Sequence, residues 1–232
     1  MHSLRHLTPR YLCNRINEKV YRRHHPDDPW LAPEAVNFLG TYLKTTDNGL
    51  EFGSGRSTIW FASRVNHLTS VEHNPEWHLR VSNKLKDIDV NNVSYHLCPK
   101  SNDDLSGANS AYVKITESIP LASLDFTLID GTYRAQCALH SIPLLRPGGI
   151  LIIDNVNKYL PSDSIAPNSR SIADGPFNTE WGQVLEIINP WRCFWTGNGV
   201  SDTAIYFKPA RSRPWKLNCD SSSKCNEVIF TF

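Results

Sequence analysis

From Gly49 onward, short apolar runs alternate with segments of helical period. GLEFG, HLTSVE, NVSYHL, LDFTLID and GGILIID read as five strands, each bounded by polar or glycine-containing turns. Between them, SGRSTIWFASRV reads as a glycine turn leading into a helix. In HNPEWHLRVSNKLKDI, Asn74 caps a helix that Pro75 begins, and TYRAQCALHSIPLL predicts another. Apolar strands separated by helices predict a parallel sheet covered on both faces. WGQVLEIINP predicts a further helix, and WRCFWTGNGVSDTAIYFKP two strands around an Asn-Gly turn. Before the sheet, Thr8 and Pro9 open an amphipathic helix with Leu12, Ile16 and Val20 on one face, and Arg15, Lys19, Arg22 and Arg23 on the other. Pro33 opens a second helix, with Val36, Leu39 and Leu43 on its buried side.

Two stretches resist this reading. SNDDLSGANSAYVKITESIPLAS predicts loop with one irregular element, and NVNKYLPSDSIAPNSRSIADGPFNTEW reads as a mobile lid beyond the fifth strand. The expected architecture is α/β: a doubly wound, mainly parallel seven-stranded sheet with a C-terminal antiparallel hairpin. Residues 1–48 are N-terminal helices of the same domain, 49–209 its ligand-binding body, and 210–232 a tail that docks on the domain or on a neighbouring subunit.

Charge changes this picture by region. The 232 residues carry 24 Lys and Arg against 23 Asp and Glu, a formal +1, which argues against a polyanion binder working by bulk charge. Residues 1–25 hold six basic and one acidic side chain, 208–232 five and two, and the body thirteen and twenty. An acidic body suits a cationic ligand, whereas the basic ends suit an acidic membrane or partner. No apolar run approaches the ~20 residues of a membrane span, and MHSLRHLTPRYLCNRI lacks the apolar core of an export signal, so a cytoplasmic location is expected. The six cysteines show no metal-ligand spacing: Cys98 and Cys137 read as reduced thiols, and Cys219 and Cys225 close a loop only in an oxidising compartment. HHPDD reads as a turn.

In an open parallel sheet, ligands bind beyond the carboxyl ends of the strands. The first strand runs through Glu51 into Gly53-Ser54-Gly55, where the glycines permit a sharp turn and close approach to a ligand, and Ser57 and Thr58 begin the next helix. The second strand ends in Glu72, whose carboxylate can accept both hydroxyls of a ribose. Together these point to a nucleoside-containing cofactor. A dinucleotide fingerprint requires a third glycine where Thr58 stands. S-adenosylmethionine has a ribose but no pyrophosphate, and a GxG turn suffices for its amino-acid part.

LEFGSGRST, VEHNPEW, LDFTLIDG and LLRPGGILIIDN occur in the order found in class I S-adenosylmethionine-dependent methyltransferases, and the late hairpin ending in TAIYFKP matches as well. From about Leu50 to Lys208 the chain resembles that family, which has a Rossmann-like fold. The resemblance implies that Gly53, Ser54 and Gly55 surround the methionine moiety, Glu72 binds the ribose and His73 lies beside the adenosine. It places Cys98 to Ser101 near the adenine and Asp130 facing donor and acceptor, and makes Glu51 a support for the turn. A narrower likeness, to small-molecule O-methyltransferases of the catechol type, implies Mg2+ on Asp130, Asp154 and Asn155. That group's catalytic lysine is replaced here by Tyr133. DGTYR is instead similar to a motif of sugar and natural-product methyltransferases, in which Tyr133 or Arg134 would orient the acceptor or stabilise an oxyanion. Tyr159, Glu180 and Trp181 are candidates for an acceptor wall, and His140 reads as a helical histidine.

The resulting expectation is an O-methyltransferase for a small molecule or glycan, with no nucleic-acid substrate and with homo-oligomerisation open. A nicotinamide-dependent oxidoreductase and a non-catalytic methyltransferase-like binding subunit are the alternatives.

Overall fold

The computed structural model describes residues 8–100 and 106–210. Ser101 and the pair Cys219 and Cys225 therefore lie outside the described residues, as does most of the tail. Local signals set the helix starts. Thr8 accepts from the Tyr11 amide (3.2 Å) ahead of α1 (Pro9–His24), and Asn74 from the Trp77 amide (3.0 Å) ahead of α4 (Pro75–Asp87). Asn178 does the same for the Trp181 amide ahead of α7 (Thr179–Ile188). The remaining helices are α2 (Pro33–Tyr42), α3 (Arg56–Ala62), α5 (Ala111–Lys114) and α6 (Arg134–Ser141).

Seven strands form one sheet in the order β3-β2-β1-β4-β5-β7-β6. They are β1 (Asn48–Phe52), β2 (His67–Glu72), β3 (Val93–Leu97), β4 (Leu124–Ile129), β5 (Leu145–Asp154), β6 (Arg192–Gly197) and β7 (Asp202–Phe207). The first five are parallel, and β7 enters antiparallel between β5 and β6. Strand order reverses between β1 and β4, which opens a crevice at their carboxyl ends.

The strand alternation divides the core into two layers. Ile150 and Ile152 of β5, with Phe126 and Leu128 of β4, pack against Ala35, Val36 and Leu39 of α2 and Phe61 of α3. Leu151 and Ile153 turn the other way, onto Ala135 and Ala138 of α6 and Trp181, Val184 and Ile188 of α7. The glycine at 49 exists for this packing: a Cβ there would lie 2.0 Å from the Phe126 ring.

One expectation is corrected and one is completed. The apolar stripe expected on α1, Leu12, Ile16 and Val20, stays 52, 60 and 47% exposed, and the buried residue of the helix is Glu18, clasped by Arg15 and Arg22. Burial of an apolar stripe needs a surface to lie against, and α1 meets the body through polar positions: Asn14 lies against Gly199 in the β6–β7 turn. The segment 155–178 is not a free lid. Asn157 is fully buried, donates to Ser169 (2.9 Å) and accepts from the Asp202 amide (3.3 Å), while Pro161 and Arg170 form a bridge. The Arg170 guanidinium ties down the carbonyls of Asp174 and Gly175. The irregular element expected between β3 and β4 is α5 followed by a 3-10 turn over Ile115–Ser118.

Truncating Phe126 to Ala should cost about 3–5 kcal/mol in urea unfolding, through lost burial and a cavity. Ile16→Ser should cost no more than about 0.5 kcal/mol, as a surface change. Equal costs would overturn the assignment of the α1 stripe to the surface.

Candidate active site

At the strand-order reversal the chain makes two turns that touch. Gly53 sits at φ +92°, and a Cβ on it would stand 2.7 Å from Cα of Gly131, the glycine that follows Asp130 after β4. The Asp130 amide donates to the Phe52 carbonyl and the Gly53 amide to the Val71 carbonyl, each at 2.9 Å. The ends of β1, β2 and β4 are thus fastened together at one point. Tyr112 of α5 closes the floor, since its hydroxyl would be 1.9 Å from a Cβ at Gly131.

Beneath the turn, Glu51 is fully buried. Its Oε2 accepts from Thr58 Oγ1 and Ser70 Oγ, both at 2.6 Å, and Thr58 Oγ1 also accepts from the Gly55 amide at 2.9 Å. Thr58, where a dinucleotide motif has glycine, is therefore a fully buried support between the acid and the turn, not a ligand contact. Burial pushes the Glu51 carboxyl up to about 7, against the opposing effect of these hydroxyl donors.

Glu72 is the most densely bonded group of the site. Oε2 accepts from the Ser54 amide (3.1 Å) and hydroxyl (2.9 Å), and Oε1 from the amides of His73 (2.8 Å) and Asn74 (2.7 Å). His73 Nδ1 stands 3.0 Å from the same Oε1. Four donors occupy the lone-pair directions of the carboxylate. A ribose diol must displace one of them, and Ser54 can yield because its hydroxyl also pairs with Tyr95 at 2.6 Å. The Trp77 indole N–H meanwhile holds the Ser54 carbonyl at 2.8 Å. Cys98 is half-buried after β3, its amide on the Glu72 carbonyl (2.7 Å).

A small cavity of about 90 Å³ is lined by Ser54, Gly55, Arg56, Ser57, Asp130, Trp30 and Trp77. A separate pocket of about 410 Å³ is bounded by Lys100 and Ser106 after β3, by Gly131–Gln136, and by Tyr159, Glu180 and Trp181. The two share no lining residue. Tyr159, Glu180 and Trp181 thus come together as expected, with the Trp181 ring stacked on Tyr159 at 4.8 Å, but away from the cavity that holds Asp130. Tyr133 lines the larger pocket from a left-handed conformation (φ +49°) at the start of α6.

The guanidinium of Arg134 donates to the carbonyls of Asp130 (2.8 Å), Gly131 (3.0 Å) and Asp154 (2.5 Å) and to Asp130 Oδ1 (2.8 Å). Those bonds tie β4 to β5 and make Arg134 a positioning residue rather than an acceptor contact. Asp154 is buried, with Oδ1 on Thr203 and Oδ2 on the Asn155 amide, both at 2.7 Å. Burial first, and then the charge of Asp130, push its carboxyl up to about 7. Burial likewise raises the Asp130 carboxyl, with Arg134 opposing.

This donor set does not fit Mg2+. A hard divalent cation needs several free oxygen ligands, whereas here a guanidinium takes Asp130 Oδ1, both Asp154 oxygens are engaged, and Asn155 turns its NH2 to Asp154 and Ser201. Among the described residues no cluster of three or more His, Cys, Asp or Glu suits a metal ion. The expected metal site is thereby corrected to a hydrogen-bonded brace.

Trp30, Trp77, Tyr95 and Tyr112 were not singled out from sequence. Trp77 carried a signal, as the third residue of a capped helix directly after the ribose acid, but Tyr95 and Tyr112 reach the site only through tertiary contacts.

The fold is an open, mainly parallel α/β sheet with its crevice at the strand-order reversal. Its sheet departs from the dinucleotide-binding order 3-2-1-4-5-6 by the antiparallel insertion of β7. Residues 50–156 match a family described as a methyltransferase domain. No curated protein matches the chain. Among solved structures, it is similar to a Streptococcus mutans protein assigned as a methyltransferase and crystallised with S-adenosylhomocysteine. That pair shows 11% identity, 74% coverage of this chain and 94% of the other, and a TM-score of 0.51. A methyltransferase-like protein from Silicibacter pomeroyi shows 20% identity, coverage of 81% and 91%, and a TM-score of 0.50. A Clostridium thermocellum protein assigned as an rRNA methylase shows 13%, 75% and 92%, and 0.50. The match places a methyltransferase-domain likeness over residues 50–156, and the structural likenesses show the shared fold. That fold by itself does not restrict the acceptor to small molecules, so the expectation against nucleic acid has no support from it. Among the described residues no helix is long and apolar enough to cross a membrane.

The two raised carboxyls set the sign of the pH dependence. Each binds its proton more tightly folded than unfolded, its carboxyl moving from an ordinary 4.5 (Glu51) or 3.8 (Asp154) up to about 7. The stability they cost therefore grows as pH rises through that window, by up to about 1.4 kcal/mol per pH unit each. The melting temperature should fall from pH 5.5 to 7.5, and Asp154→Asn should flatten that slope. A steady rise over the same range would overturn the assignment.

Proposed function

We propose that this chain transfers a methyl group from S-adenosylmethionine to a hydroxyl oxygen of a small molecule or glycan, with Asp130 as general base and no resident metal. The observation that carries this reading is the cavity in which the Asp130 carboxyl meets Ser54, Gly55 and Ser57 of the glycine turn. About a third of the Asp130 side chain remains accessible there, while Arg134 fixes its orientation.

Two features support donor binding: the Gly53–Gly131 backbone contact fixes Ser54 and Asp130 on facing turns, and Ser54 can release Glu72 to a ribose. Bound S-adenosylmethionine supplies a methyl group made electrophilic by the sulfonium charge. The chain's own residues do the rest. Glu72 and the turn hold the nucleoside and amino-acid parts, while the buried carboxylates favour a cation over a neutral ligand. Asp130 accepts the acceptor's proton, and burial, by raising its carboxyl, strengthens it as a base.

Calorimetric titration should show S-adenosylhomocysteine binding, reduced at least tenfold by Glu72→Gln. No binding by the folded protein would overturn the reading and favour a non-catalytic scaffold, and protection by NAD alone would favour an oxidoreductase. Asp130→Asn should keep S-adenosylhomocysteine affinity within about threefold and lower methyl transfer about 100-fold or more, as loss of a general base does. Undiminished transfer would remove Asp130 from that role.

A further inference from the structure

α1 lies at the carboxyl end of the sheet, and its exposed stripe is not bare surface. Ile16, Lys19, Val20 and Arg23 fall on one helical face, and together with Arg22, Trp30 and Arg56 they enclose a groove of about 480 Å³. Its walls have two chemistries. Ile16, Val20 and the Trp30 ring, 55% exposed, are apolar. The rest is cationic: Arg22 and Arg56 stand over the Trp30 ring at 4.8 and 5.6 Å from its centre. Arg22 is paired with Glu18 (2.5 Å), but Lys19, Arg23 and Arg56 have no acidic partner within ion-pair distance among the described residues.

The groove adjoins the cavity of Asp130, because Trp30 and Arg56 line both. The segment after Trp30 is also hydrogen-bonded to the carboxyl end of the sheet. The Ala32 amide, two residues after Trp30, donates to Thr203 Oγ1 (3.0 Å), which donates to Asp154 Oδ1 (2.7 Å) at the end of β5. The Asn14 and Gly199 contact holds the other side of α1 against the β6–β7 turn.

We propose that this groove is the acceptor site, and that it takes a small molecule with an aromatic or alkyl body and an anionic group such as a carboxylate, sulfate or phosphate. The volume matches a ligand of that size, the apolar floor takes the body, and three unneutralised cations take the anion. This rests on the methyltransferase reading for the identity of the reaction, though not for the binding itself.

The test uses the full chain and 2-naphthoate, with neutral 2-naphthamide as its isostere, in calorimetry at low and high salt. 2-Naphthoate should bind at least tenfold more tightly than the amide and weaken with salt. Lys19→Glu with Arg23→Glu, both on exposed positions, should lose that preference at least tenfold, while S-adenosylhomocysteine affinity stays within threefold of the parent. Trp30→Ala should weaken both naphthyl probes. Equal binding of acid and amide, or an unaltered preference in the double variant, overturns the proposal. So does co-sedimentation with phosphatidylserine vesicles when no naphthoate is taken up, which would make the groove a membrane-docking face. Loss of S-adenosylhomocysteine binding in the parent, with naphthoate binding intact, would overturn the methyltransferase reading and leave the anion site standing.

Discussion

The site depends on a backbone contact that leaves no room for side chains. Gly53 and Gly131 meet where β1 and β4 diverge, and a methyl group on either would fall within 3 Å of the other's backbone. This approach sets the distance between the two turns, and so the positions of Ser54 on one and Asp130 on the other. Tyr112 presses against it from α5, with its ring 5.5 Å from Phe52 and 6.0 Å from His73. The core therefore reaches the crevice without an intervening flexible shell. A cradle fixed in this way is preorganised, so ligand binding loses little ordering entropy there.

Around that contact the protein concentrates negative charge at a cost. Glu51, Glu72 and Asp154 are all buried, and Asp130 stands between them and the cavity. Glu72 is compensated by four donors, whereas Glu51 leaves Oε1 without a partner. Such arrangements weaken the free protein. On the proposed function they favour a sulfonium over its neutral product, since a cation relieves the repulsion among the carboxylates and the product does not. Arg134 keeps the arrangement stable by spending its charge on carbonyls and on Asp130, which is why it braces the strands and does not reach an acceptor.

Much of this was legible in the sequence, and the boundary is physical. Strand and helix order followed from period and capping: Thr8, Pro9, Asn74 and Pro75 act within one turn, and the Asn-Gly pair needs only its neighbours. Gly53, Ser54, Gly55 and Glu72 were recoverable because motif spacing along the chain maps directly onto a strand end. The metal set was misread because Asp130, Asp154 and Asn155 are the correct residue types, while the guanidinium and hydroxyl that occupy them come from Arg134 and from Thr203, distant in sequence. α1 shows the converse. Its amphipathic pattern was correct, but periodicity reports only that a face is apolar, not that a partner exists to cover it. Tyr112 lay in a stretch with no periodicity at all, and only its contact with Gly131 reveals its place.

The opposition of charge between body and N-terminal helix then acquires a geometric meaning. The cavity that holds Asp130 and the groove that holds Lys19 and Arg23 share Trp30 and Arg56, so side chains of opposite charge stand on either side of one indole ring. A molecule carrying an anion at one end and a hydroxyl at the other has a single favourable orientation in such a field: anion toward Lys19 and Arg23, hydroxyl toward Asp130. The reverse orientation would bring the anion against Asp130 and the buried carboxylates, where the local dielectric is low and repulsion is strongest. Discrimination between the two comes as much from that repulsion as from attraction in the groove. On the proposed reading it would also separate the two substrates, because the cation of the donor and the anion of the acceptor are each repelled from the other's half of the site.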